Sequence, residues 1–311
     1  MHEYVAPTVY YWEVHLLYAS LVCCAAWALT RLPFGSATLK YWIWVATALN
    51  FIVPVGGFLD RFGAAHVSWA RPLYWLREPG IAASRSSAAA ALLLVWLLVT
   101  ATLLARLGLR LRAERRGAAA AADCAALAHP AVPGIPVEFA HHGEAPCVDG
   151  VLRARISLPH GIERILSRGE LEAVLLHEAT HARRRDNLMR LLYEVGRCLL
   201  WFHPLVWLTG AKLALYRELS CDESVIRRAR GGELVSALAK LADPGAAAPL
   251  LRASAGSFLS VRVAQLTTTA PHRAPLAANL ALSLAFAGVL LAGVYSTVAH
   301  TACCCCLVIR D

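Results

Sequence analysis

Four runs of about 20 mostly apolar residues, at 9–29, 41–59, 88–107 and 276–298, limit what this chain can fold into. At about 1.5 Å rise per residue, each is long enough as a helix to cross the ~30 Å hydrocarbon core of a bilayer. Composition agrees, since 58% of the 311 residues are hydrophobic, 16% are charged and the mean hydropathy is +0.52. Ordinary soluble domains hold about 45–50% apolar and about 25% charged residues. The expected fold class is a mainly α membrane protein with four transmembrane helices. Tyr and Trp cluster at the starts of the first two runs, where interfacial anchors belong. Pro54 and the adjacent Gly56 and Gly57 are expected kinks in the second. The first run lacks a basic leader and a small-residue cleavage site, so it is expected to stay as an anchor.

Basic flanks set the orientation. No Lys or Arg precedes Val9, whereas Arg106, Arg110, Arg112, Arg115 and Arg116 follow the third run closely. The positive-inside rule then puts the N-terminus outside, the segment after the third run in the cytoplasm and the C-terminus outside. Arg61, Arg71, Arg77 and Arg85, between the second and third runs, count against this arrangement. The net charge of +9 suits anionic lipid. No nucleic-acid recognition motif accompanies it, so direct nucleic-acid binding is not expected. The ten cysteines form no paired metal-binding pattern; the scattered ones suit a reducing compartment, and the run 303–306 selects no single role. Glu13 and His15 lie near the outer end of the first run, within reach of water.

The polar middle, 108–275, reads as an inserted α+β domain. Residues 118–128 are Ala-rich and helical in pattern, Pro130, Pro133 and Pro136 break regular structure, and 137–140 and 148–158 read as strands. Ser167 and Glu170 form a capping box that starts a helix. The apolar stretch 191–215 is interrupted by His203-Pro204, which predicts a helical hairpin rather than a span. A span there would put its two ends on opposite faces of the membrane. Residues 246–275 are a mixed connector, and no internal repeat is present.

The predicted helix after Ser167 carries Leu176-His177-Glu178-Ala179-Thr180-His181. Residues four apart share a helical face, so His177 and His181 can offer both imidazoles to one zinc ion. Glu178 is placed to take a proton from the zinc-bound water as a general base. A catalytic zinc needs a third protein ligand and an open position. Glu218 is the candidate, and Asp222, four residues on, would orient a ligand imidazole. Asp186 and Glu223 compete with Asp222 for that role. His203 reads as a helix boundary rather than an oxyanion donor, and Arg183 to Arg185 as a solvated or lipid-facing basic patch.

HEATHARRRDN, then WFHPLVW, then YRELSCDESV, in this order and spacing, resembles the BlaR/MecR-type family of antirepressor membrane zinc metallopeptidases. Residues 146–162, PCVDGVLRARISLPHGI, resemble that family's segment before the helix. The resemblance implies Zn2+ as cofactor, Glu178 as general base and Glu218 as third ligand, and Asp222 falls on the family's motif. It also implies a gluzincin-like zinc domain facing the cytoplasm from a bacterial inner membrane, and a BlaI-like transcriptional repressor as substrate, with self-cleavage as an activation step. Two departures stand out. Well-known members carry an extracellular penicillin-binding sensor domain after the last span, whereas this sequence ends about a dozen residues beyond it, so covalent β-lactam sensing is not expected. Thr180 stands where a larger apolar residue is usual.

The resulting expectation is an integral-membrane zinc endopeptidase in three parts: a membrane region at 1–107, a zinc domain at 108–275, and a last span with a short tail at 276–311. Its partners would be the lipid bilayer and a protein substrate whose strand pairs with an edge near 153–158; homo-oligomerisation stays open. The alternatives are a quality-control or processing zinc protease, which shares HExxH and a later ExxxD, and a non-proteolytic membrane signalling module.

Overall fold

A computed structural model describes residues 5–53, 87–121, 127–140, 145–242, 258–268 and 275–308. Its elements in chain order are α1 Val5–Thr30, α2 Ala37–Ile52, α3 Ser87–Ala121, β1 Leu127–Ala128, β2 Pro136–Ala140, β3 Cys147–Asp149, β4 Arg155–Pro159, α4 Ile162–Ile165, α5 Arg168–Arg184, α6 Asp186–Leu199, α7 Pro204–Ile226, α8 Gly231–Ala242, α9 Leu259–Thr268 and α10 Leu276–Val308. The fold is mostly helical with one small sheet. Pro54, the following glycines, the four arginines between 61 and 85 and much of the connector 246–275 lie outside the described residues.

Among the described residues, two helices are long and apolar enough to cross a membrane, over Ala90–Ala113 in α3 and Leu276–Tyr295 in α10. Leu92 is 70% and Leu276 85% exposed, and Leu93, Leu94, Leu280, Leu284 and Leu291 are exposed as well. Contiguous apolar faces of that extent call for lipid or another apolar partner. The apolar part of α1, Val14–Thr30, and the 16 residues of α2 are shorter. Both pack inward instead. Val22 and Ala26 of α1, Tyr41, Trp44 and Phe51 of α2, Val206 and Leu213 of α7, and Leu282 and Phe286 of α10 make one buried cluster. His15 belongs to this interior as well, its Nε2 3.4 Å from the Phe51 carbonyl.

The apolar stretch 191–215 forms a hairpin, as its His-Pro pair predicts. His203 is the N-cap of α7 and Pro204 its first residue, a position where a missing N–H leaves no helical bond unmade. The tip fits among the other helices: Trp96 Nε1 donates to the Leu199 carbonyl at 2.9 Å, and Ser20 Oγ lies 3.2 Å from His203 Nε2. Two glycines permit this closeness. A Cβ on Gly210 would occupy the space of the Tyr193 phenol, and one on Gly196 that of the Ile52 side chain.

A second core lies on the sheet, whose strand order is β1-β2-β4-β3, with β2 and β4 parallel and the other pairs antiparallel. Ile156 and Leu158 pack against Leu175 and Ala179 of α5, joined by Leu234 of α8 and Leu266 of α9. β4 has a partner on each side. The segment near 153–158 is therefore not the free edge expected for substrate pairing; the edge on that side is β3. α7 joins the two cores, supplying Val206 and Leu213 to one and Val225 and Ile226 to the other.

The expected capping box opens α5. Glu170 Oε2 accepts from the Ser167 amide at 2.7 Å and Ser167 Oγ accepts from the Glu170 amide at 3.4 Å. The same carboxylate reaches α8, accepting from Lys240 Nζ at 2.7 Å and Ser236 Oγ at 2.5 Å. Lys240 first, then Ser236 and Ser167, hold its pKa down at about 2 against an ordinary 4.5. A carboxylate depressed on folding stabilises above its unfolded pKa, and that stability is lost as pH falls through the folded one. Glu170→Gln is therefore expected to melt below wild type near neutral pH. The gap should narrow between pH 4.5 and about 2 in thermal scans. A gap that stayed constant over that window would contradict the charge-based account.

Candidate metal centre

α5 carries His177 and His181 on one face, four residues apart, toward α7. Their Nε2 atoms are 3.2 Å apart. Glu218 of α7 faces this pair, with Oε2 3.5 Å from His177 Nε2 and Oε1 3.9 Å from His181 Nε2. Ligand atoms bound about 2.0–2.1 Å from a tetrahedral zinc are separated by about 3.3 Å. The Nε2–Nε2 gap and the two Nε2–carboxylate gaps, which end on different oxygens of Glu218, lie near that edge length, so the chemistry of this donor set fits the ion. Glu178 lines the same cavity of about 680 Å³, together with Val148 of β3, Arg190, Leu238 and Arg262.

Each imidazole has a carboxylate on its outer side. Asp222, fully buried, places Oδ1 2.9 Å from His177 Nδ1, though too obliquely for a good hydrogen bond. Arg262 of α9 grips Asp222 with a fork: Nε donates to Oδ2 and Nη2 to Oδ1, both at 2.8 Å. Its Nη1 lies 3.5 Å from Glu218 Oε2. Asp186 Oδ2 sits 2.6 Å from His181 Nδ1. Arg184 donates to Asp186 from Nε at 3.2 Å and from Nη2 at 2.6 Å, and Tyr41 of α2 donates to Oδ1 at 2.8 Å. The chain corner that brings Asp186 beneath His181 is Arg185, whose φ of 56° is left-handed. A bulky residue held in that region is a local cost that the surrounding contacts must sustain.

Electrostatics follow from this packing. Burial opposes charge on His177, but Asp222 and Glu218 outweigh it and raise the imidazole to about 9 in the metal-free site. A metal would have to displace that proton. Burial also opposes charge on Glu218, yet His177, His181 and Arg217 hold its carboxyl well below the usual range. Asp222 and Asp186 are depressed against the same penalty, by Arg262 and His177 in one case and by His181 and Arg184 in the other. Glu178 goes the other way: burial raises it, with the two histidines only partly offsetting the effect. A carboxyl raised above its ordinary value is a stronger proton acceptor once ionised.

The other candidates take different places. Cys221 lies close to both histidines. Its Sγ is 3.5 Å from His181 Nδ1, on the Asp186 side of the ring, and accepts from Arg184 at 3.1 Å. Glu218 lies instead on the Nε2 side of the pair. Glu223 turns away and accepts from Thr38. Thr180 bonds across to Ser224 at 2.7 Å, a helix-to-helix contact that a larger apolar residue would not make. His203, the N-cap of α7, is fifteen residues before Glu218, about 22 Å at the helical rise, so it marks the hairpin and does not reach the site. Arg184 is not part of a solvated patch with its neighbours, since it grips Asp186. Sequence reasoning missed two contributors, Arg262 and Tyr41. Nothing in spacing points to either, because each arrives from a distant segment.

Residues 12–233 match the family described as BlaR1 peptidase M56. The chain belongs to that family. Among its relatives is the regulatory protein BlaR1 of Bacillus licheniformis, 36% identical over 84 residues, which are 27% of this chain and 14% of that protein. The methicillin resistance mecR1 protein of Staphylococcus aureus is 26% identical over 93 residues, 30% of this chain and 16% of its own length. The protein of the same description from Staphylococcus epidermidis matches to the same extent. The aligned stretch is thus about a seventh of the length of these curated relatives. The family's description is that of a peptidase, and these relatives are described as regulatory and resistance proteins. Arg262 and α9 lie beyond the family-matched segment.

Proposed function

We propose that this chain is an integral-membrane zinc endopeptidase of the cytoplasmic membrane. In this reading α1, α2, α3 and α10 are its four spans and its gluzincin-like site faces the cytoplasm. The observation that carries it is the convergence of His177, His181 and Glu218 with their Nε2 and carboxylate atoms 3.2 to 3.9 Å apart, beside Glu178 in one cavity. Those three residues would hold the ion, and bound zinc would supply Lewis-acid activation of water and of the scissile carbonyl. Glu178 takes the proton from the attacking water and passes it to the leaving amine. Asp222 and Asp186 keep the two imidazoles aimed inward. A substrate backbone lying along β3, the edge beside the cavity, would be oriented by main-chain pairing.

The substrate we propose is a BlaI-like transcriptional repressor, and the chain itself is a second target. Support comes from family membership and from relatives described as regulatory and resistance proteins. The test compares newly formed protein N-termini in cells carrying wild type or Glu178→Ala under a range of envelope stresses. Fragments of a DNA-binding repressor that appear with wild type alone are expected. Identical N-termini in both, with a repressor of this kind left intact, would return the chain to the signalling-module reading.

A further inference from the structure

The metal centre is not built from the peptidase helices alone. Thr38 and Tyr41, three residues apart on the first turns of α2, share a helical face. Tyr41 is almost fully buried, and its hydroxyl donates to Asp186 Oδ1 at 2.8 Å, while Asp186 Oδ2 holds His181 Nδ1 at 2.6 Å. The Arg184 guanidinium, itself gripping Asp186, stacks over the Tyr41 ring at 4.3 Å. One turn earlier, the Thr38 amide and hydroxyl both donate to Glu223 Oε2 at 2.9 Å, and Ser220 Oγ donates to Thr38 Oγ1 at 3.1 Å. Glu223 and Ser220 flank Asp222 and Cys221 on α7. The first turns of α2 thus clasp both helices whose carboxylates orient the histidines.

We propose that Tyr41 is a positioning residue for His181, and that zinc affinity is set by how α2 is seated. This rests on the metallopeptidase reading and extends it to the regulation of the same site. The geometry is unforgiving. Hydrogen bonds lose most of their strength beyond about 3.5 Å. A displacement of the Tyr41 hydroxyl along that 2.8 Å bond by one residue's rise, about 1.5 Å, would lengthen it to about 4.3 Å and part Tyr41 from Asp186. Asp186 would then swing on Arg184 alone, and the His181 imidazole would lose its fixed aim. Partners behind a metal-bound histidine govern affinity by about 10–100-fold. Because α2 is a membrane helix in the proposed topology, a displacement within the bilayer reaches the metal through two hydrogen bonds.

The experiment uses the full chain in lipid nanodiscs, with zinc affinity read by chelator competition and thermal stability read on zinc-free protein. Tyr41→Phe keeps the ring under Arg184 and removes only the hydroxyl. It is expected to weaken zinc about 10-fold with little change in zinc-free melting. In an Asp186→Asn background the same substitution should add no further loss, since the relay is already cut. Wild-type affinity in Tyr41→Phe, or a loss that simply adds to that of Asp186→Asn, overturns the proposal. So does a fall in zinc-free stability that accounts for the whole change. Failure of the wild type to bind zinc overturns both this proposal and the metallopeptidase reading. Tyr41-dependent zinc binding without peptide cleavage would spare the relay and remove only the peptidase reading.

Discussion

Glu178→Gln is expected to lower peptide cleavage by about 10²–10⁴-fold, the range set by losing a positioned general base. Zinc content should stay at about one ion per chain, because the side chain takes no part in the ligand set formed by His177, His181 and Glu218. The amide keeps the volume and hydrogen-bonding outline of the carboxylate, so the fold is not disturbed. It cannot accept the water's proton. Wild type should therefore show an acidic limb in its rate profile, from a Glu178 whose carboxyl is raised by burial, and the variant should lack it. Turnover of a peptide substrate across pH, with metal content measured on the same samples, decides the matter. A variant that cleaves within a factor of a few of wild type would remove Glu178 from the mechanism.

Arg262→Met is expected to have the largest effect on stability. Asp222 is fully buried and its two oxygens are each held at 2.8 Å by this one guanidinium. Methionine preserves the apolar stem and leaves a buried carboxylate facing only His177. Breaking a buried pair from one side costs about 3–5 kcal/mol, because the remaining charge keeps its desolvation penalty. Zinc affinity should fall by about 10–100-fold as His177 loses its backing. Adding Asp222→Asn should recover much of the stability, since it removes the stranded charge, but not the metal affinity. Chemical unfolding of the zinc-free protein, together with chelator competition, separates the two. Strictly additive losses in the double variant would mean that the residues act independently.

Features of the site written into local sequence were legible. Two histidines four apart need only a helix, and Ser167 with Glu170 announces where that helix starts. Pro204 likewise fixes the hairpin, since no helix can run through it unbroken. Contributions from remote segments were not legible. Tyr41 precedes Asp186 by 145 positions and Arg262 follows Asp222 by 40, and neither carries a periodicity or a motif. Arg184 was hidden for another reason: the left-handed corner at Arg185 turns one arginine of three back toward Asp186. The strand near 153–158 did carry a usable signal. Three consecutive residues, Ile156, Ser157 and Leu158, are all buried, as befits a strand covered on both faces and paired on both edges.

Because α7 passes unbroken from the helix-bundle core into the core beneath the sheet, the described residues offer no seam along which one part could be exchanged for another. Chimeras joined at 107 would pair Val206 and Leu213 from one parent with a foreign α1 and α2, chimeras joined at 275 would set a foreign Leu282 and Phe286 in the same cluster, and mismatched packing there would propagate to the ion. Crossovers should be tolerated only where α1, α2, residues 162–242, α9 and α10 descend together from one parent. Diversification of the input in such proteins would then be confined to α3 and the segments that join it, while the remainder is inherited as a block.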